Sequence, residues 1–300
     1  MSFSYDVKNT ISTLFPDGKA EADSELMGMV MYAKKASRDS IIFATDVASV
    51  SDVFSGLILA TFDISAVPQI ISMGEEKYQY KTLLSPDESR MVFNYFWHDG
   101  NMRIRPSMVK SDKQKSAFVR GAFMSCGYVN PPEKNYSIEF RFDNADIAVD
   151  FATFMADLFE MPKLTVRKGD QVAYYRSGNI VGDILSYIGA KSEAFAVMNT
   201  QAYKSIRNEQ NRQTNFEVAN ISKQTSSSIE QIEAIEWLIK NKKFNKLSPQ
   251  LRMTSKLRLN NPDLPLSELA SLETPPVSKS QESKRLKQIV EFRKIIETKQ

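Results

Sequence analysis

Between positions 278 and 287 the chain reads Ser278, Lys279, Ser280, Gln281, Glu282, Ser283, Lys284, Arg285, Leu286, Lys287, with four cations, three short hydroxyls and an amide inside three helical turns. Lysine and arginine neutralise phosphate oxygens, and short polar side chains reach base edges in a major groove. Ser280, Gln281, Ser283 and Lys284 suit base readout; Lys279, Arg285 and Lys287 suit phosphate. Ser278, with Gln281 three residues on, is a capping-box pattern that starts a helix there and turns its N-terminus toward an anion. If about five charges in this module neutralise phosphates, log affinity falls with log salt at a slope of roughly −4 to −5. A basic helical hairpin packed only on its own domain fits the same residues.

Two rare residues exclude much other chemistry. The chain holds one cysteine, Cys126, and one histidine, His98. One of each builds neither an internal disulfide nor a structural zinc site. A serine hydrolase would need His98, and a cysteine protease Cys126 with His98. A small core residue and a loop residue beside Asp99-Gly100 are the plainer readings. No cofactor and no metal are expected.

The elements that must position the basic run surround it. Residues 247–260 open with Ser248-Pro249, an N-cap and first-turn proline, and stop at Asn261-Pro262. Residues 265–272 place Leu266, Leu269 and Leu272 on one side of a short helix that Pro275 and Pro276 cannot continue. In the last helix Leu286, Ile289, Val290 and Ile296 trace an inward stripe, with Arg293 as an interruption. Lys279, Ser280, Ser283, Lys284 and Lys287 fall largely off that stripe. This is helix-turn-helix order, in which the second helix puts its first turns into the major groove. Upstream, residues 229–240 carry Ile232, Ile235, Leu238 and Ile239 on one helical face, behind a polar run at 222–228.

A second polar constellation lies at 207–220. Arg207, Asn211 and Asn215 stand at i, i+4 and i+8, with Asn208 and Arg212 beside them and Glu217 and Asn220 following. The expected role of Arg207 and Asn211 is to bond this linker helix to one domain. Direct contact with DNA or a partner is the alternative.

Charge divides the same way. The 300 residues carry a net +3, but residues 240–300 hold 14 Lys and Arg against 6 Asp and Glu, while residues 1–239 hold 25 against 30. A basic end that meets a polyanion and a mildly acidic body follow from that asymmetry. With 42% hydrophobic and 25% charged residues the composition is that of a globular protein of about two domains. No apolar run approaches the roughly 18 residues of a membrane span, and the opening residues lack a secretory pattern, so a cytoplasmic, nucleoid-associated location is expected.

The first 200 residues repeat themselves. Residues 26–34 lie over 119–127, with Gly28 on Gly121; then Ile41 on Ile138, Phe43 on Phe140, Asp46 on Asp143 and Phe54 on Phe151. Residues 74–80 lie over 169–175, Ser85 over Ser177 and Tyr95 over Tyr187. In the second copy, 115–126 reads as a buried helix and 136–142 as a strand. Asp143 is the expected cap of a helix carrying Ile147, Phe151, Phe154 and Leu158. A hairpin follows around Lys168-Gly169-Asp170, then a helix from Gly178 that stops near Gly189. A further strand is expected after Gly127. Each unit is helix, two strands, helix, two strands, helix.

Four stretches now in hand, 118–140, 183–190, 207–220 and 275–289, resemble the bacterial WhiA family of sporulation and cell-division regulators. Residues 1–115 resemble it through the opening SFS..VK pattern and the repeat. The resemblance implies an α+β fold: a duplicated αββαββα saddle similar to LAGLIDADG homing endonucleases, followed by an all-α helix-turn-helix domain similar to sigma-factor region 4. It implies transcriptional control of division and sporulation genes, and a role in chromosome segregation. Set against the nuclease motif, the metal-binding acids correspond to Ala33 and Cys126, with Met31 and Met124 nearby; none is a hard oxygen ligand for magnesium. The chain is therefore not expected to be an enzyme. Where the family usually has Gly, Val, Asn and His, this chain has Gln281, Glu282, Ser283 and Lys284, which puts its operator sequence in doubt.

The expected organisation is a first repeat at 1–113, a second at 114–198, linker helices at 199–242 and the DNA-binding domain at 243–300. Double-stranded DNA is the expected partner. The competing reading is a scaffold that binds RNA polymerase or a division protein, with incidental DNA contact; a nuclease with unconventional ligands is a third.

Overall fold

The computed structural model describes residues 2–74 and 77–298; Glu75 and Glu76, inside the repeat match at 74–80, lie outside the described residues. The chain divides into two units, Met1–Ser205 and Ile206–Gln300. The first is α+β and the second all-α, as expected.

In the first unit a short helix α1 (Phe3–Ile11) precedes two copies of one pattern. The first copy is α2 (Lys19–Met31), β1 (Lys35–Ser37), β2 (Ser40–Thr45), α3 (Ala48–Phe62), β3 (Gln69–Ser72), β4 (Tyr78–Leu83) and α4 (Pro86–Trp97). The second is α5 (Asp112–Cys126), β5 (Gly127–Val129), β6 (Ile138–Phe142), α6 (Ala145–Ala156), β7 (Lys163–Arg167), β8 (Asp170–Tyr175) and α7 (Gly178–Tyr187). Both sheets are antiparallel with matching orders, β1-β2-β4-β3 and β5-β6-β8-β7. The aligned phenylalanines do the same work in each copy: Phe43 and Phe54 rings lie 4.3 Å apart, Phe140 and Phe151 rings 4.6 Å apart.

The two copies join through α2 and α5. A Cβ placed on Gly28 would sit 2.4 Å from the Phe118 carbonyl, and one on Gly121 would sit 2.1 Å from the Glu25 carbonyl. Only glycine lets the two backbones approach this closely. Beside the crossing, the buried Arg120 guanidinium donates to the buried Glu25 carboxylate, Nε at 3.1 Å. Burial pushes the Glu25 carboxyl up, and the hydrogen bond from Arg120 pulls it back. Ser125 Oγ closes the helix ends together, donating to the Met29 and Tyr32 carbonyls at 3.1 and 2.7 Å.

Two local expectations need correction. Asp143 does not cap α6: Asn144 is the N-cap, its side-chain oxygen accepting from the Asp146 N–H at 2.7 Å. Asparagine and aspartate cap equally well, so geometry chose between neighbours. The polar run at 222–228 does not separate two linker helices, because α8 runs unbroken over Lys191–Lys240. That span contains no glycine or proline, and serine or threonine costs too little helix propensity to end it.

The second unit takes the end of α8 and adds α9 (Pro249–Asn260), α10 (Leu266–Ser271) and α11 (Lys279–Glu297). Ile235, Leu238, Leu247, Leu269, Leu286 and Ile289 form its buried core.

The glycine crossing gives a paired test. Gly121→Ala is expected to lower unfolding stability by about 3 kcal/mol, since the overlap is with backbone and cannot be relieved by a rotamer change. Gly56→Ala, in open space on exposed α3 surface, is expected to raise it by about 0.5–1 kcal/mol. Denaturant unfolding of the two variants checks both signs.

Candidate nucleic-acid interface

Local rules fix where α11 begins. Ser278 Oγ accepts from the Gln281 N–H at 3.3 Å, while Gln281 Oε1 accepts from the Ser278 N–H at 3.1 Å. That reciprocal box satisfies two N-terminal donors and uses only the oxygen of the Gln281 amide. The preceding turn is pinned by the Val277 N–H donating to the Ala270 carbonyl at 3.0 Å. Downstream, Leu286, Ile289 and Val290 are buried, and Arg293 lies over the Trp237 ring of α8 at 5.9 Å. The helix can therefore present only its other side.

That side holds most of the residues singled out above. Ser278, Lys279, Ser280, Gln281, Lys284 and Lys287 are exposed, and Ser283 is half-buried. From Ser278 through Val290 no exposed carboxylate lies among them; Glu282 is fully buried and Glu291 is the first exposed acid. Three lysines thus stand in the first turns of a helix whose exposed residues from Ser278 to Val290 include no carboxylate.

Arg285 departs from the expected solvent-facing role. Its guanidinium is 3.0 Å from the buried Glu273 carboxylate, and its side chain is only 20% exposed. Thr254 Oγ1 of α9 donates to the same Glu273. Burying an unpaired Glu273 would be costly, so Arg285 is held inward.

Two further groups in this cluster escape a reading by polarity alone. Arg258, nearly fully buried on α9, donates Nη1 to the Leu264 carbonyl at 2.9 Å and to those of Asn261 and Pro262 at 3.4 Å, tying down the turn before α10. Glu282 is fully buried, with neither carboxyl oxygen meeting a donor. The signal for Glu282 was its spacing: 282, 286, 289 and 293 follow one helical stripe.

The linker constellation lies elsewhere. Arg207, Asn208, Asn211, Arg212, Asn215, Glu217 and Asn220 are all exposed on α8. Among the described residues, Arg207 and Asn211 make no side-chain hydrogen bond, and Glu217 accepts from Gln213 at 3.3 Å. The expected bonding of Arg207 and Asn211 to one domain is not what the structure has.

In the first unit the ends of α2 and α5 border a groove of about 780 Å³ lined by Met31, Ala33, Cys126 and Asp143 among others. Burial pushes the Cys126 thiol up to about 12, so it stays neutral. Among the described residues no group of three or more His, Cys, Asp or Glu side chains could hold a metal ion. On the neighbouring sheet the buried Glu139 pairs with both Arg141 and Arg167, each at 2.6 Å, and its one carboxylate offsets one of the two guanidinium charges.

Comparison with known proteins agrees with this layout. The family model described as the WhiA LAGLIDADG-like domain matches residues 115–207, and the one described as the WhiA C-terminal HTH domain matches residues 210–293. The chain is 31% identical over 315 aligned positions to a "Probable cell division protein WhiA" of Thermoanaerobacter pseudethanolicus, covering 98% of both chains. It is 29% identical over 308 positions to the protein of that name in Clostridium botulinum, covering 96% of both. The crystal structure of full-length DUF199/WhiA from Thermatoga maritima shares its fold, with a TM-score of 0.60 and 23% identity over 98% of each chain.

The inward and outward cations of α11 are expected to behave oppositely. Arg285→Ala should cost about 3 kcal/mol of stability by stranding Glu273, whereas Lys284→Ala should change it by less than about 0.5 kcal/mol. Thermal unfolding of the two single variants is the check.

Proposed function

The chain belongs to the WhiA family, and from that premise we propose that it is a DNA-binding transcriptional regulator acting in cell division, with chromosome segregation or sporulation as its wider setting. The observation that carries this reading is the exposed start of α11, free of exposed carboxylates through Val290, where Lys279, Lys284 and Lys287 stand with Ser280, Gln281 and Ser283. The lysines would take phosphates and set the register; the hydroxyls and the amide would read base edges from the major groove. Ser278 would serve as the cap that aims the helix, and Arg285 would hold the helix in place rather than meet phosphate. The DNA-binding part would be residues 243–300 resting on the end of α8, with 199–242 as linker and the repeats at 1–113 and 114–198 as a regulatory body.

We propose no enzymatic activity for that body. Its motif-helix ends offer Ala33, a neutral thiol and methionines where metal-dependent phosphodiester hydrolysis requires hard oxygen ligands. No described helix is long and apolar enough to cross a membrane, which suits a protein working on the nucleoid in the cytoplasm.

A second reading, a scaffold for RNA polymerase or a division protein, is favoured by one feature. The linker residues Arg207, Asn208, Asn211, Arg212 and Asn215 are bare on α8, with Phe216 and Ile221 68% and 65% exposed nearby. A partner that covers that stretch is compatible with DNA held by α11.

The experiment is binding of the full chain to chromosomal duplex fragments across a salt series. Parent affinity should fall steeply with salt. Replacing Lys279, Lys284 and Lys287 together by alanine should reduce the log–log slope by about 2.7, or roughly 0.9 for each phosphate no longer neutralised. An unchanged slope in a folded triple variant would remove the interface from α11.

A further inference from the structure

We propose that Glu282 is a proton-linked positioning residue for the recognition helix: its neutral carboxyl group holds the first turns of α11 where they can read DNA, and its ionisation loosens them. This rests on the reading of α11 as the DNA-contacting helix. It adds that the grip on DNA weakens as pH rises through neutrality.

Among the described residues no hydrogen bond supports an ionised Glu282. The side chain is fully buried on the first turn's inward face, between the exposed Gln281 and the half-buried Ser283. Three charged groups face it. From α9 comes Arg258, whose Nη1 is committed to the carbonyls of Asn261, Pro262 and Leu264. From the turn before α11 comes Glu273, which already accepts from Thr254 and pairs with Arg285. From α11 itself comes Arg285, held by that pair. Arg285 is held by Glu273; Arg258 keeps its Nε without a partner, yet among the described residues neither carboxyl oxygen of Glu282 meets a donor. The nearby Glu273 carboxylate favours the protonated form of Glu282. A carboxyl beside a carboxylate is stable with one proton between them and unstable with none.

Burial, then the adjacent Glu273, push the Glu282 carboxyl up to about 7, with Arg285 and Arg258 pulling it back. A group whose folded value lies above its ordinary one contributes stability that is fully present below the ordinary value of 4.5 and is lost as pH rises through about 7. The only histidine of the chain is His98, in the first unit, so no imidazole in residues 206–300 titrates in this window. Losing the proton also changes the charge of the Arg258, Glu273, Glu282, Arg285 cluster from +1 to zero beneath the helix that faces phosphate. Both effects weaken binding in the same direction.

The test is DNA affinity of the full chain at constant ionic strength from pH 6 to 9, for the parent, Glu282→Gln and Glu282→Val. Glutamine keeps the neutral form's shape and hydrogen-bond donor; valine removes the group. The parent should lose affinity above pH 7, approaching tenfold per pH unit at most for one linked proton. Glu282→Gln should hold the parent's low-pH affinity across the range and unfold at a higher temperature than the parent at pH 8.5, whereas Glu282→Val, which lacks the positioning group, should bind more weakly at low pH and with no pH dependence. A parent that binds DNA equally at all pH values, or a glutamine variant with the parent's pH profile, overturns the proposal alone. A parent that binds no duplex at any pH overturns the reading of α11, and the coupling falls with it.

Discussion

The ion pair between Glu273 and Arg285 decides which side of the last helix the solvent sees. Glu273 leaves the turn after α10 already buried, accepting from Thr254 on α9. It can be ionised there only if a cation comes to it. Arg285 is that cation, and once it turns inward with Leu286 and Ile289, the residues at 279, 280, 284 and 287 have to turn outward. A buried charge satisfied by one partner thus orients a surface made of others. Arg258 repeats the device one helix earlier, where a single guanidinium gathers three carbonyls and fixes the turn on which α10 rests.

The first unit follows a different constraint. Its two repeats meet where Gly28 and Gly121 allow backbone to touch backbone, and the ends of the crossing helices carry Ala33 and the half-buried thiol of Cys126. Glu139 draws Arg141 and Arg167 into a local cluster. The interface between repeats is closely packed, and the groups beside it are a neutral thiol and a paired cluster around Glu139. A body of that kind can be rigid and still leave contact with nucleic acid to the basic helical unit.

Much of this was legible in the residues. Phe43 with Phe54 and Phe140 with Phe151 announced the duplication because a strand and a helix that must pack leave the same aromatic pair in each copy. Ser278 with Gln281 located the start of α11 because capping is a local interaction, decided within four residues. What stayed hidden was long-range or chosen between neighbours. Asn144 and Asp143 are both able caps, and only the path of the chain separates them. The continuity of α8 depended on the lack of any strong breaker, which a run of serines imitates poorly. Arg285 and Glu282 look like surface residues by type, and their burial is set by Glu273 and Arg258, each at least nine positions away in sequence.

The central claim is that DNA meets the outward lysines of α11 and leaves the repeat body alone. Lysine acetylation footprinting of the full chain, with and without a duplex that it binds, tests this residue by residue. The account predicts that DNA shields Lys279, Lys284 and Lys287 while Lys35 and Lys163, exposed on the two sheets, react equally in both states. Shielding of Lys35 and Lys163 with the α11 lysines still reactive would contradict it.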